Sequence, residues 1–242
     1  MEAIRIENLT KVYKDVTAVD DLSLTVNKGE LLALLGINGA GKTTTIKILS
    51  GLTKPTNGDA FLMGHSITED LNEVKKIIAV SPQETAIASA LSVRENLELI
   101  AGIHGFNKDE TIKKINELTD LLGLKSVLSR KAGKLSGGWQ RRLSIAMALI
   151  SEPEILFLDE PTLGLDVIAR SDLWDIIRSL KHKTTIVLTT HYMEEAEALS
   201  DRIAIMKDGK LLLCDTPSSI KAQTESTTIE EAFVRIVKGG TV

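Results

Sequence analysis

The stretch 36-GINGAGKTTT-45 places three glycines ahead of one lysine and three threonines behind it. It fits the pattern G-x-x-x-x-G-K-[ST], in which glycines let the backbone turn tightly and bring its N–H groups against a chain of phosphates. A helix that begins near Lys42 would point the positive end of its dipole at the same place. Lys42 would then supply charge to the β- and γ-phosphates, and the Thr43 hydroxyl is placed for Mg²⁺.

The segments on either side support a phosphate-binding loop. LLALL at 31–35 is apolar throughout, which suits a strand covered on both faces. TTTIKILSG at 43–51 predicts a helix with Gly51 as its C-terminal stop. A strand before the loop and a helix after it are the context that this motif requires.

The rest of the chain predicts an α/β fold with a helical insertion. Strands are expected at 3–9, 22–26 and 58–64, and the turn signal NKGE predicts that 22–26 and 31–35 form a hairpin. From about 91 to 150 the apolar residues recur at helical spacing. Strands at 154–160, 184–190 and 202–206 then alternate with helices at 167–180 and 193–200, which predicts a parallel sheet, and KDGK at 207–210 predicts a hairpin turn.

Composition limits the class of protein. The chain has 242 residues, of which 43% are hydrophobic, enough to bury a substantial core. The net charge of −4 argues against nucleic acid as a partner, since a surface that binds a polyanion normally carries a basic excess. The single cysteine, Cys214, excludes a disulfide within the chain and a cysteine-rich metal site, and its apolar context predicts a small buried side chain.

No segment of the sequence has the pattern of a membrane span. The charged, alternating start predicts no signal peptide. The longest apolar run, 31–37, is far shorter than the roughly 20 residues that cross a bilayer. The chain is therefore expected not to cross a membrane, although a partner could hold it against one.

Two acidic residues follow an apolar strand. In 155-ILFLDE-160 the strand ends in Asp159, which would lie at the carboxyl edge of the sheet beside the phosphate loop and hold Mg²⁺ there. Glu160 follows at once and is a candidate to orient or deprotonate an attacking water. A phosphate loop with these two carboxylates indicates a nucleoside triphosphatase or a kinase.

A second anion-binding helix start distinguishes these classes. In 135-LSGGWQRRL-143, Ser136 and two glycines precede a helix. One phosphate loop needs one such helix start, so the second is most simply explained by a head-to-tail dimer. Each subunit would then close over the γ-phosphate that its partner binds.

The phosphate loop, the LSGG helix start and the strand that ends in Asp159 follow one another in this order along the chain. With these three motifs, the chain resembles the ATP-binding cassette (ABC) ATPases over nearly its full length. The resemblance implies a P-loop NTPase (RecA-like) core with an N-terminal antiparallel β subdomain and an inserted α-helical subdomain. Residues 1–83 and 152–215 would form the core, 84–151 the helical subdomain, and 216–242 a C-terminal tail with a short helix at 228–236.

Further residues match the family pattern one by one. Tyr13 stands where the family stacks an aromatic ring on adenine, and Gln83 where a glutamine links Mg²⁺ and the attacking water to the helical subdomain. Asp166 matches an aspartate at the dimer seam, and His191 matches a histidine that contacts the γ-phosphate. ATP is thus expected to contact Tyr13, Gly36, Asn38, Gly39, Ala40, Gly41, Lys42, Thr43, Thr44, Ser136, Gly137, Gly138 and Asp166.

Roles follow from the same resemblance. It implies that Glu160, His191, Lys42 and Gln83 take part in ATP hydrolysis and that Thr43, Gln83 and Asp159 hold Mg²⁺. Two positions depart from the common pattern, because Trp139 replaces a frequent glutamine and Leu163 a residue that is usually small and polar.

Transport is the first hypothesis for the use of ATP. The segments 138–166 and 191–217 resemble the ATPase subunits of ABC-2-type exporters, the group of drug, lantibiotic and sodium efflux systems. The resemblance implies a separate multi-span permease, a second ATPase subunit, which most simply makes a homodimer, and a place at the cytoplasmic face of the cell membrane. A cytoplasmic helix of the permease would dock between Gln83 and the helices around 91–105.

Two alternatives remain. An ABC ATPase of a soluble assembly system, such as iron–sulfur cluster assembly, has the same catalytic motifs in a single cassette. A P-loop kinase of small molecules would leave the LSGG motif, Gln83 and His191 unexplained.

Overall fold

The computed structural model describes residues 1–239. It contains two sheets, with helices packed around the second of them. The ten strands among these residues are β1 (Glu2–Tyr13), β2 (Val16–Asn27), β3 (Leu31–Leu35), β4 (Asn57–Leu62), β5 (His65–Ser66), β6 (Ile78–Ser81), β7 (Ile155–Asp159), β8 (Thr185–Thr190), β9 (Arg202–Lys207) and β10 (Lys210–Asp215). The nine α-helices are α1 (Lys42–Leu49), α2 (Leu71–Ile77), α3 (Val93–Ile103), α4 (Lys108–Leu121), α5 (Gly137–Leu149), α6 (Val167–Leu180), α7 (Met193–Leu199), α8 (Pro217–Gln223) and α9 (Ile229–Val237).

The first sheet is antiparallel and mostly N-terminal, with strand order β2-β1-β4-β5. The second has the order β10-β9-β3-β8-β7-β6, and all its pairs are parallel except that of β10 with β9. Two short 3₁₀ helices, Leu124–Val127 and Ala132–Lys134, separate α4 from α5. The predicted α/β architecture, with its antiparallel sheet and inserted helices, is confirmed.

The central strands are apolar throughout because each lies between two apolar layers. In β3, Leu31, Ala33 and Leu35 pack into a cluster with α3, α5, α6 and α7. The alternate residues, Leu32 and Leu34, pack into a second cluster with β1, β2 and α1. Successive side chains of a strand point to opposite faces, so a strand covered on both faces has no position for an exposed polar residue.

The predicted hairpin between 22–26 and 31–35 is wrong. The segment 22–26 lies in β2, which pairs with β1, whereas β3 pairs with β8 and β9 in the other sheet. The intervening residues do make a turn, since the Glu30 N–H donates to the Asn27 carbonyl. The turn leads from one sheet to the other because β3 gains cover on both faces there.

Other boundaries follow the sequence closely. Helix α1 ends just before Gly51, which has a φ of 70° as a helix-terminating glycine requires, and α6 covers the predicted range 167–180. Four elements were not predicted, namely α2, the two-residue strand β5, the edge strand β6 and the tail helix α8, which Thr216 caps by accepting from the Ser219 N–H. No helix in the described part of the chain has the length and apolarity of a membrane span.

Candidate functional site

The predicted site lies at the carboxyl edge of the central sheet. The glycine-rich loop follows β3, His191 follows β8, and Glu160 follows β7, and these three strands are neighbours in the order β3-β8-β7. Gln83 comes two residues after β6, the next strand. Parallel strands end at one edge of a sheet, so four segments distant in sequence meet there.

The backbone of the loop needs glycine for two different reasons. Gly41, which caps α1, has a φ of 100°, and a Cβ there would lie 2.4 Å from the carbonyl oxygen of Ala18. Gly39 has a φ of 84° but open space around it, so it needs glycine only for its conformation. The loop therefore passes close to the N-terminal sheet at Gly41.

Lys42 is buried at the base of the loop. Its Nζ donates to the carbonyl oxygens of Gly36 at 2.7 Å and Ile37 at 3.3 Å. It also lies 3.5 Å from Glu160 Oε1, and both side chains are less than a tenth exposed. Burial makes each of these charges depend on the other, since an unpaired buried charge is costly.

Asp159 accepts hydrogen bonds from two hydroxyl groups. Its Oδ1 accepts from Thr43 at 3.0 Å and from Thr189 at 2.5 Å. Among residues 1–239 there is no cluster of three or more His, Cys, Asp or Glu side chains able to hold a metal ion. Mg²⁺, however, is typically bound by one or two carboxylates together with phosphate and water oxygens, and the oxygens of Thr43 and Asp159 fit such a site.

Glu160 is held by both its backbone and its side chain. Its φ of 48° is in the left-handed region, which costs a non-glycine residue about 1 kcal/mol or more and concentrates at functional sites. Its N–H donates to Thr189 Oγ1 at 3.0 Å, and its Oε2 lies 2.8 Å from His191 Nδ1. The Glu160 carboxylate thus stands between the Lys42 ammonium group and the His191 ring.

A cleft of about 620 Å³, hereafter the phosphate-loop cleft, is lined by Lys42, Thr43, Glu160 and His191 among others. Tyr13, 44% exposed and covered by the Lys11 ammonium at 4.9 Å from the ring centroid, is not part of its lining. From this part of the chain, the residues that line the cleft are instead Val16, Thr17 and Ala18. The full lining is Val16, Thr17, Ala18, Asn38, Gly39, Ala40, Gly41, Lys42, Thr43, Thr44, Lys47, Gln83, Glu160, Leu163 and His191.

The LSGG residues form a different surface. A cleft of about 270 Å³, hereafter the α5 cleft, is lined by Ser136, Gly138, Trp139, Arg142, Asp166, Ile168, Ala169 and Asp172. Gly137 lines a neighbouring hollow that also contains Gln83 and Leu163. The phosphate-loop cleft and the α5 cleft share no lining residue. The structure therefore brings Ser136, Gly138 and Asp166 together, but away from the loop of their own chain.

Two residues of the site were not predicted. Thr189 bonds both Asp159 and the Glu160 backbone. Arg141, on α5, donates to the carbonyl oxygens of Pro82 at 2.6 Å and Gln83 at 2.7 Å, and burial lowers its pKa while Asp159 opposes that change. The available signals were a hydroxyl group near the end of an apolar strand and the first of two arginines after LSGG.

Comparisons with known proteins agree with this geometry. A protein-family model described as "ABC transporter" matches residues 19–163. The chain is 40% identical over 222 residues to the human phospholipid-transporting ATPase ABCA3, covering 90% of this chain and 13% of that protein. It is 37% identical over 240 residues to the Escherichia coli protein named "Probable multidrug ABC transporter ATP-binding protein YbhF", covering 97% of this chain and 41% of that one. The chain thus spans less than half the length of either relative.

A solved structure of a nucleotide-bound protein shares the fold. It is described as the dimeric structure of a post-hydrolysis state of the ATP-binding cassette MJ0796 bound to ADP and Pi. The TM-score is 0.79 at 28% sequence identity, over 88% of this chain and 98% of that one.

Proposed function

This chain belongs to the ABC transporter family, and we propose that it is the ATP-hydrolysing subunit of a membrane exporter. The observation that carries the proposal is Glu160, whose carboxylate lies between Lys42 and His191 in the phosphate-loop cleft. Residues 1–83 and 152–215 would act as the nucleotide-binding core, 84–151 as the helical subdomain, and 216–242 as a tail. Gly240, Thr241 and Val242 lie outside the described residues.

Within the phosphate-loop cleft, each residue has a role that its geometry supports. The loop N–H groups and Lys42 would bind the phosphates. Thr43 and Asp159, together with Gln83 from the lining of the same cleft, would hold Mg²⁺, which would supply charge to neutralise the phosphates. Glu160 takes a proton from, or orients, the attacking water, and His191 holds the Glu160 carboxylate in place. ATP hydrolysis needs positioning and charge stabilisation more than covalent chemistry.

A head-to-tail dimer would complete the site. Ser136, Gly138 and Asp166 lie on a surface separate from the phosphate loop, so they reach a γ-phosphate only in another subunit. Val167 and Ile168, at the start of α6, are 75% and 74% exposed beside that surface, as apolar residues of an interface are. A homodimer is sufficient, since one chain carries both half-sites, and Tyr13 would stack on adenine from the edge of the phosphate-loop cleft.

The Glu160→Gln variant tests the shared site. ATP should drive it into a dimer, because binding is kept while the step that releases the dimer is lost. Light scattering at high protein concentration, with and without Mg-ATP, measures this. The double variant Glu160→Gln/Ser136→Arg is the control and should stay monomeric, because the bulky cation blocks the α5 cleft. If neither variant dimerises although both bind ATP, the shared-site proposal fails.

The exporter role requires a membrane partner. We propose a multi-span permease whose cytoplasmic helix docks beside Gln83 and α3, with the subunit held at the cytoplasmic face of the membrane. A groove of about 280 Å³ there is lined by Pro82 and Ala86 on one side and Ile100, His104 and Met147 on the other. The names of both relatives, a phospholipid-transporting ATPase and a probable multidrug transporter component, support transport.

A surface substitution tests the docking without touching the nucleotide site. The test variant is Ile103→Glu, because Ile103 lies on α3 and is 71% exposed. The control variant is Leu52→Glu, because Leu52, which follows α1, is 72% exposed. We expect Ile103→Glu to lose recovery with a multi-span protein from detergent-solubilised membranes while keeping its ATPase activity, and Leu52→Glu to keep both. Recovery of wild type with soluble partners only would favour the assembly-ATPase alternative.

A further inference from the structure

Glu195 is a fully buried carboxyl group that the proposed hydrolysis mechanism does not use. It lies on α7, four residues after His191, and has no exposed surface. Its Oε1 accepts from Trp174 Nε1 of α6 at 3.2 Å, whereas its Oε2 is buried without a hydrogen-bond partner. A buried glutamate is rare unless it is paired, so this one needs a reason.

The carboxyl group lies where three segments of the site meet. The hydroxyl groups of Thr190 and Thr162 face it. Thr190 immediately precedes His191, and its Oγ1 accepts from the Tyr192 N–H at 2.9 Å, which fixes the turn that carries the histidine. Thr162 comes two residues after Glu160, and its Oγ1 is buried without a partner of hydrogen-bonding geometry.

We propose that Glu195 is a positioning residue for ATP hydrolysis, whose carboxyl group holds the segments that carry Glu160 and His191 against helix α6. This inference rests on the proposed ATPase function. Glu195 does not line the phosphate-loop cleft, so it acts through the 2.8 Å contact between Glu160 and His191.

The charges around Glu195 favour its neutral form. Burial raises the pKa of Glu195, and the nearby Glu160 carboxylate adds to the rise, while the adjacent hydroxyl groups of Thr190 and Thr162 and the hydrogen bond from Trp174 oppose it. The Arg141 guanidinium attracts the carboxyl group but donates to the carbonyls of Pro82 and Gln83.

A further cation, Arg170, lies on α6 with its Nε buried and without a hydrogen-bond partner. The Arg170 guanidinium lies over the Tyr192 ring, 5.4 Å from its centroid. A neutral acid keeps one acceptor for the indole and gains an O–H donor for a threonine hydroxyl, which a carboxylate lacks.

Two substitutions separate the hydrogen bonds from the charge. Glu195→Gln keeps a donor and an acceptor and has no charge, so we expect kcat within about threefold of wild type at pH 7. Glu195→Ala should lower kcat on the order of tenfold with little change in the KM for ATP, as loss of a supporting partner does. The control is Glu30→Gln, a buried glutamate beside Arg202 at the opposite end of β3, which should leave both constants unchanged.

The pH dependence gives a readout that a space-filling role would not change. A raised pKa means that stability from the neutral Glu195 is complete below its unfolded value of 4.5 and is lost as pH rises toward the folded value. The folding equilibrium constant of Glu195→Gln relative to wild type should therefore increase, by up to about tenfold per pH unit, above pH 4.5. Chemical denaturation from pH 5 to pH 8 measures this ratio without any need for ATPase activity.

The outcomes separate the two proposals. Wild type without ATPase activity contradicts the proposed function, while the denaturation series still tests the neutral acid. Active wild type with Glu195→Ala unchanged contradicts the positioning role. Equal losses of kcat in Glu195→Gln and Glu195→Ala would show that the negative charge is needed, and a pH-independent stability ratio would show that Glu195 is not held in its neutral form. Either result would overturn the inference. If Glu195→Ala fails to fold, the Gln variant and its pH series decide alone.

Discussion

The phosphate-loop cleft and the α5 cleft differ in how their functional side chains are held. In the first, Lys42, Asp159 and Glu160 are buried and bonded to other residues of the same chain. In the second, Ser136 caps α5 without a hydrogen bond from its side chain, and its surroundings are exposed. One half of the site is organised by folding, whereas the other is a surface whose geometry a second subunit would complete.

The largest effect is expected from substitutions in the two clefts, which should differ in how they change the affinity of the monomer for ATP. Lys42→Ala should reduce hydrolysis on the order of 10²–10³-fold and weaken ATP binding to the monomer, because it removes the phosphate-binding charge. Ser136→Ala should reduce hydrolysis by about 10–100-fold through one lost hydrogen bond to charge, with monomer ATP affinity unchanged. Steady-state kinetics and equilibrium titration of a fluorescent ATP analogue measure these quantities. Equal loss of monomer affinity in both variants would contradict the separation.

A smaller effect is expected from the hydroxyl that joins two acidic residues. Thr189→Val removes the bonds to Asp159 and to the Glu160 N–H, both buried, and should cost about 1–3 kcal/mol of unfolding free energy. Hydrolysis should fall with it. The control Thr185→Val removes a buried bond from the Gly29 N–H at the other end of β8, so it should lose similar stability and keep its hydrolysis rate. If both variants hydrolyse ATP equally, Thr189 is only structural.

The smallest effect is expected in the α5 cleft. Arg142 pairs with Asp172 at 2.6 Å, and the Asp172 side chain is 54% exposed. Arg142→Ala should cost at most about 1 kcal/mol, since solvent screens such pairs. Urea denaturation measures it. A loss as large as that of Thr189→Val would mean that the α5 cleft is as tightly organised as the phosphate-loop cleft.

Sequence patterns predicted the parts of the fold that depend on neighbouring residues. The loop at 36–43, the helix after it, Gly51 and the helix at 167–180 all depend on local spacing and backbone conformation. The strand β6 and helix α8 were missed because four and seven residues carry little periodicity. The hairpin after β2 was wrong because NKGE specifies a turn but not the strand with which the next segment pairs.

The site, like the fold, has parts that local sequence patterns predict and parts that they do not. Residue types and local spacing alone identified the loop, Asp159, Glu160 and the LSGG helix start, because phosphate and magnesium binding requires those types of group. Family resemblance added Gln83, Asp166, His191 and Tyr13, whose spacing carries no such requirement, and Tyr13 lies outside the lining of the cleft.

Only the tertiary structure decided which of these groups meet. The order β3-β8-β7 places Glu160 in contact with both Lys42 and His191 and brings Thr189 to Asp159. The packing of α7 on α6 buries Glu195 against Trp174. It also separates Ser136 from the phosphate loop of its own chain. These contacts join residues up to 118 positions apart, as between Lys42 and Glu160, and strand pairing and burial, rather than local pattern, set such distances.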